Sequence, residues 1–130
     1  MEVNAVQDAV KSLEKANANL EPELLSAEDA RKLFATYARA EKLVAYGKTV
    51  LARKIDDAAE VARSSGVSMG KAKATVDTGQ ALADAPEVSD AFRDGDASLD
   101  QATEIARAEQ ADPRSATELL EVAHKENFQS

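Results

Sequence analysis

The stretch "ARSSGVSMGKAKATV" (residues 62–76) decides how this chain is read. A small residue, Ala62, precedes Gly66 by four positions, and Val67 and Ser68 follow before a helix-like segment carrying Lys71 and Lys73. Glycine takes a positive φ without steric cost, so Gly66 is expected to end one helix. Ser68 is expected to cap the next one, over about residues 69–83. Ala72 and Val76 then point inward as apolar anchors one turn apart. Helix, tight turn and capped second helix is the order of a DNA-binding helix-turn-helix motif. It is also the order of an ordinary corner between two packed helices.

Upstream, the three-and-four spacing of apolar residues runs from Ala30 through Leu33, Tyr37, Ala40, Val44, Gly47, Leu51, Ile55 and Ala58 to Ala62. No proline interrupts it, so the pattern predicts one helix from Ala27 to about Ser64, roughly 55 Å long. Its near-heptad seam predicts pairing with the first helix or with a second copy of the chain. Gly47 costs such a helix about 1 kcal/mol against alanine, which marks it as a close crossing or a break. Val3, Val6, Val10, Leu13 and Ala16 form the stripe of an earlier helix. Pro22 ends that helix, and Ser26 is expected to cap the long one with Asp29 at the capping-box position.

Downstream, Pro86 opens a short helix holding Val88 and Phe92, and Gly95 closes it. Ser98 is expected to cap a helix with Leu99, Ala102, Ile105 and Ala106 inward. Asp112 and Pro113 are expected to start the last helix, as N-cap and first helical residue, with Ala116, Leu119, Leu120, Val122 and Ala123 inward. No segment alternates as a strand does. The fold class expected is all-α, with about six helices. One very long helix and its predecessor occupy residues 1–64, and a compact helical subdomain with the helix-turn-helix-like corner occupies 65–130.

Composition narrows the function. The 130 residues contain no cysteine and one histidine, His124, so neither a disulfide framework nor a Cys/His metal site is expected. "DGDASLD" (residues 94–100) has a superficial calcium-loop look, but the twelve-residue spacing and its final Glu are absent. No Gly-rich phosphate loop, Ser–His–Asp arrangement or other nucleophile stands out. The chain is therefore expected to catalyse nothing by itself and to need no cofactor. With no basic and apolar leader and no run of eighteen apolar residues, a cytoplasmic location is expected, with no membrane partner and no small-molecule substrate.

Charge is divided along the chain. Residues 1–30 hold 2 basic and 7 acidic side chains (−5), residues 31–75 hold 10 and 4 (+6), and residues 76–130 hold 4 and 13 (−9). A total of −8 disfavours non-specific nucleic-acid binding by the whole chain. The basic middle leaves room for a local DNA contact. Arg53, Lys54, Arg63, Ser68, Lys71 and Lys73 are the candidate DNA-binding residues, the cations for phosphates and Ser68 for the capped helix start. A solvated helix face is the plainer reading of the same lysines and arginines.

The order of signals over about residues 27–125 resembles the helical domain that precedes HNH endonuclease domains in a mycobacterial repeat family of actinobacteria. The matching elements are Gly66-Val67-Ser68, Leu82, Pro86, Gly95 with Ser98, and Ala102-Thr103-Glu104-Ile105-Ala106. The same order is distantly similar to the helix-turn-helix core of ParB-type partition proteins. The resemblance implies a module that binds or positions DNA, and can dimerise, for a nuclease whose histidines and asparagine have no counterpart here. Two other readings stand beside it: a non-enzymatic dimerisation or protein-interaction scaffold using the long seam, and a ParB-like regulator.

Overall fold

The computed structural model describes residues 3–112 and 115–128. The described residues are helical, with no strand among them. The helices are α1 (Val3–Ala18), α2 (Ala27–Ile55), α3 (Ala58–Ser65), α4 (Met69–Leu82), α5 (Pro86–Arg93), α6 (Leu99–Ala111) and α7 (Ser115–Phe128), with a 3₁₀ turn at Pro22–Leu24. The chain divides into two compact units, Met1–Thr36 and Tyr37–Ser130.

In the first unit, α1 has no buried residue, and its stripe of Val3, Val6, Val10 and Leu13 is exposed. Ser26 caps α2 as expected, its Oγ accepting from the Asp29 N–H at 3.1 Å. Glu28 and Asp29 place negative charge in the first turn, where the helix dipole favours it.

The continuous helix expected over 27–64 is two helices. Its first member ends at Ile55, because Asp56 takes φ 51°, a left-handed conformation that cannot continue an α-helix. Asp57 restarts the chain as an N-cap, its Oδ1 accepting from the Glu60 N–H at 3.2 Å. Among the described residues the longest helix has 29 residues, and there are seven α-helices where about six were expected.

The second unit is built on α4. Two apolar clusters flank it. One gathers Ala52, Val61, Ala72 and Val76, with Ala58, Ala62 and Val67 around them. The other gathers Leu82, Ala85, Val88, Phe92, Ala102, Ile105, Ala106 and Ala123, joined by Ala45, Tyr46, Ala81, Leu99 and Leu120. Phe92 is fully buried, and its ring meets the edge of Tyr46 at 5.6 Å between centroids and 82° between planes. Such an edge-to-face pair adds about 1 kcal/mol to the area it buries.

α2 enters this core on an unexpected face. Thr49 and Ala52 are buried, while Val44, Leu51 and Ile55 of the expected seam are exposed. The close approach belongs to Gly79 of α4: a Cβ there would lie 2.6 Å from the Thr49 carbonyl oxygen and 3.0 Å from the Arg53 Cβ. Around Gly47 nothing lies within 4 Å of an added Cβ, and α2 runs through it, so it marks neither crossing nor break. Thr49 fits the crossing because its hydroxyl donates to the Ala45 carbonyl at 2.7 Å within its own helix.

Two further caps follow the expected chemistry. Ser98 and Gln101 form a reciprocal capping box at the start of α6. Gly95 turns the chain at φ 83°. Asp112 is the C-cap of α6, and Pro113, expected as the first residue of α7, lies outside the described residues. In α7, Ala123 is buried and Leu120 packs against the larger cluster, whereas Leu119 and Val122 are exposed.

Candidate nucleic-acid interface

The corner between α3 and α4 is built by local rules. Gly66 has φ 69° and ψ 34°, and its N–H donates to the Ala62 carbonyl at 2.9 Å. The Val67 N–H donates to the same carbonyl at 3.2 Å, which closes a Schellman-type helix end. Ser68 then caps α4, its Oγ accepting from the Lys71 N–H at 3.1 Å. Ala62 and Val67 pack where α3 and α4 meet, over Val61, Ala72 and Val76. Alanine at position 72 is fully buried and fills the anchor position where valine or isoleucine is usual.

Three of the candidate cations lie in the helical turns that flank this corner. Lys54 closes α2, Arg63 lies in the last turn of α3, and Lys71 and Lys73 lie in the first turns of α4; all four are exposed. Among the described residues none of the four forms an ion pair, whereas Lys32 pairs with Glu28 and Arg93 with Asp90 and Asp94. Arg53 is placed differently. Its Nη1 donates to the Gly79 carbonyl at 3.5 Å, at the outer limit of a hydrogen bond. Gly79 belongs to the last turn of α4, where carbonyls lack helical partners and α4 has no basic residue of its own. Arg53 thus serves the end of α4 from α2.

The outward stripe of α4 is made by Gly70, Lys73, Ala74 and Asp77, at spacings of three, four and seven, opposite the buried Ala72, Val76 and Gly79. Gly70, Lys73 and Asp77 are exposed. A Cβ at Gly70 would meet nothing nearer than the Ser68 Oγ at 4.0 Å. Sequence reasoning had singled out the cations and not Asp77, although its seven-residue offset from Gly70 puts it on their face. Gly79, near the end of α4, was also not singled out, although a glycine within a helix needs a packing reason.

Beyond Asp77 the surface becomes a polar cleft of about 390 Å³ between α4 and α6, lined by Asp77, Gln80, Asp84, Thr103, Arg107 and Gln110 among others. Thr78 and Thr103 share a hydrogen bond of 2.8 Å there, and the Gln80 Nε2 donates to Asp56 Oδ1 at 3.2 Å. In "DGDASLD", Asp94 serves the α5–α6 turn. Arg93 holds Asp94 through Nε–Oδ1 at 3.0 Å and Asp90 through Nη1 at 3.2 Å, and Arg39 donates to the Asp94 carbonyl at 3.1 Å. The hydrogen bond from Arg93, opposed by some desolvation and helped by its charge, lowers the Asp94 pKa. Among the described residues no group of three His, Cys, Asp or Glu side chains could hold a metal ion, and no helix is long and apolar enough to cross a membrane.

No family model, curated protein or solved structure matches this chain.

Proposed function

We propose that this chain is a non-catalytic helical module that contacts DNA through the α3–α4 corner and positions it for chemistry housed outside these residues. The observation that carries the reading is three exposed cations without an ion pair, Arg63 before and Lys71 and Lys73 after a capped helical corner, in a chain of net charge −8. In an acidic protein with abundant carboxylates, cations left without partners at one corner fit phosphate oxygens. The motif order that resembles the module preceding HNH endonuclease domains gives this contact a role beside a nuclease; a ParB-like regulator would use the same corner. The test is binding of the pure chain to short duplex DNA as salt is varied. Affinity should fall linearly on logarithmic axes, and Lys71→Glu with Lys73→Glu should flatten that slope by about 2. Absence of binding at low salt would overturn the reading.

A second reading rests on α2. Val44, Leu51 and Ile55 are 52%, 58% and 48% exposed and share one side of the helix, away from Thr49 and Ala52. Apolar side chains in a row favour pairing with a second copy, in the commonest closed symmetry. In this reading the module is an interaction scaffold, and the corner only joins two helices.

A further inference from the structure

We infer that the cleft between α4 and α6 is a binding site for a basic amino acid, held as a ligand and not as a substrate. The inference stands apart from the DNA reading and uses none of the corner's cations. The cleft holds about 390 Å³, within the range of sites that take small molecules. One wall is Asp77, Gln80 and Asp84, at spacings of three and four along α4 and the turn that follows it. The other is Thr103, Arg107 and Gln110, at spacings of four and three along α6. Facing positions on two packed helices ordinarily carry apolar side chains. Here they carry charges of both signs, and among the described residues Arg107 forms an ion pair with neither Asp77 nor Asp84.

The hydrogen bonds at the cleft fix what it offers. The Thr78 hydroxyl donates to the Ala74 carbonyl at 2.8 Å, and a carbonyl only accepts. The 2.8 Å bond between Thr78 and Thr103 must therefore take its proton from Thr103, which leaves the Thr103 oxygen as an acceptor. Gln80 is oriented by the same logic. Its Nε2 donates to Asp56 Oδ1 at 3.2 Å, and a carboxylate accepts only, which leaves the amide oxygen as an acceptor. With the carboxylates of Asp77 and Asp84, these groups make an acceptor-rich lining around one cation, Arg107. Such a lining suits ligand cations. Seven residues of helix advance about 10 Å, so Asp77 and Asp84 stand near opposite ends of their wall. They suit two separated cationic groups rather than one metal ion. A ligand with cations alone would leave the Arg107 guanidinium facing like charge, whereas its planar fork matches a carboxylate. Two cationic groups and one carboxylate are the charge pattern of lysine, ornithine and arginine.

The test is an NMR titration of the pure chain with L-lysine, with cadaverine, which lacks the carboxylate, and with L-norleucine, which lacks the side-chain ammonium. Lysine should give saturable shifts at the amides of the cleft residues and bind roughly threefold to fivefold tighter than either analogue. Arg107→Gln should erase the advantage of lysine over cadaverine without weakening cadaverine. Asp77→Asn and Asp84→Asn should each weaken lysine and cadaverine together. All three side chains are exposed, so the spectrum outside the cleft should stay unchanged. Absence of saturable shifts with lysine at millimolar concentration would overturn the inference. So would equal binding of the three compounds, or shifts spread over the acidic surface, since either marks general charge attraction. An Arg107→Gln variant that loses cadaverine as much as lysine would overturn it too, because Arg107 would then only shape the cleft. None of these outcomes involves DNA, so the two readings fail separately.

Discussion

A Cβ on Gly79 would stand 2.6 Å from the carbonyl oxygen of Thr49, so α2 and α4 cross with their backbones nearly touching. Only a hydrogen fits between them. Gly79→Ala should therefore destabilise the protein by about 1–3 kcal/mol through overpacking, despite the better helix propensity of alanine. Gly47→Ala has nothing within 4 Å to meet and should stabilise by up to about 1 kcal/mol. Urea unfolding of the two variants should shift in opposite directions, and a stabilising Gly79→Ala would place the crossing elsewhere.

Asp56 holds the break between α2 and α3 at φ 51°, where a side chain with a Cβ is strained. Asp56→Ala should cost about 1–2 kcal/mol by raising that strain and removing the contact from Gln80. Asp56→Gly relieves the strain and loses only the exposed contact from Gln80 at 3.2 Å, so it should be neutral or stabilising. Asp57→Ala, which removes the α3 cap, should cost about 1 kcal/mol. Chemical denaturation reads all three, and an Asp56→Gly variant weaker than Asp56→Ala would contradict the left-handed geometry.

What the sequence made legible was local. Gly66, Ser68, Pro86, Gly95 and Ser98 each end or start a helix through their own backbone or side-chain chemistry, and the structure places each so. The break at Asp56 was hidden because Ile55, Ala58 and Ala62 keep the three-and-four rhythm across it, with neither glycine nor proline to announce it. The inward face of α2 was misjudged for a related reason. Val44, Leu51 and Ile55 make the more hydrophobic stripe, but the crossing at Gly79 needs small residues, and Thr49 and Ala52 supply them. At the candidate site the exposed cations were readable one by one. The turn of Arg53 toward the Gly79 carbonyl depends on how α2 crosses α4, which no local pattern encodes.

The Arg93–Asp94 contact predicts a pH signature. Asp94 has its pKa lowered, first by the hydrogen bond from Arg93. A lowered folded value means that the contact favours the folded state above the ordinary carboxylate value and that this contribution disappears as pH falls through the folded one. Both side chains are exposed, so any effect on stability is small and screened by salt. The sharper readout is NMR titration. The Asp94 carboxyl should titrate below the ordinary aspartate value, and Arg93→Gln should move it back up toward that value.

The exposed stripe of α2 makes a prediction about assembly. If Val44, Leu51 and Ile55 are covered by a second copy, sedimentation should show a dimer at micromolar concentrations, and Leu51→Asp should return the monomer without loss of helix content. Leu51 is 58% exposed, so its replacement should change the stability of the single chain by no more than about 0.5 kcal/mol. A wild-type chain that stays monomeric at high concentration would remove the scaffold reading.

The corner itself separates packing from recognition. Gly66 has open space around it, so any cost of replacing it comes from its φ of 69° alone. Gly66→Val should destabilise by about 1–2 kcal/mol or more, since a β-branched side chain resists that conformation, while Gly66→Asn should be milder. The lysine variants should behave in the opposite sense. Lys71 is the third residue of α4, whose first turn holds no acid and whose cap is Ser68. Lys71→Glu therefore completes a capping box with Ser68 and adds favourable charge at the helix N-terminus, so stability should rise by about 0.3–1 kcal/mol. DNA affinity should fall at the same time, because a phosphate contact becomes a repulsion. A gain in melting temperature together with a loss of binding is a combination that damage to the fold cannot produce. If Lys71→Glu stabilises the chain and leaves DNA affinity untouched, Lys71 makes no phosphate contact, and the DNA reading loses the residue nearest the capped start of α4.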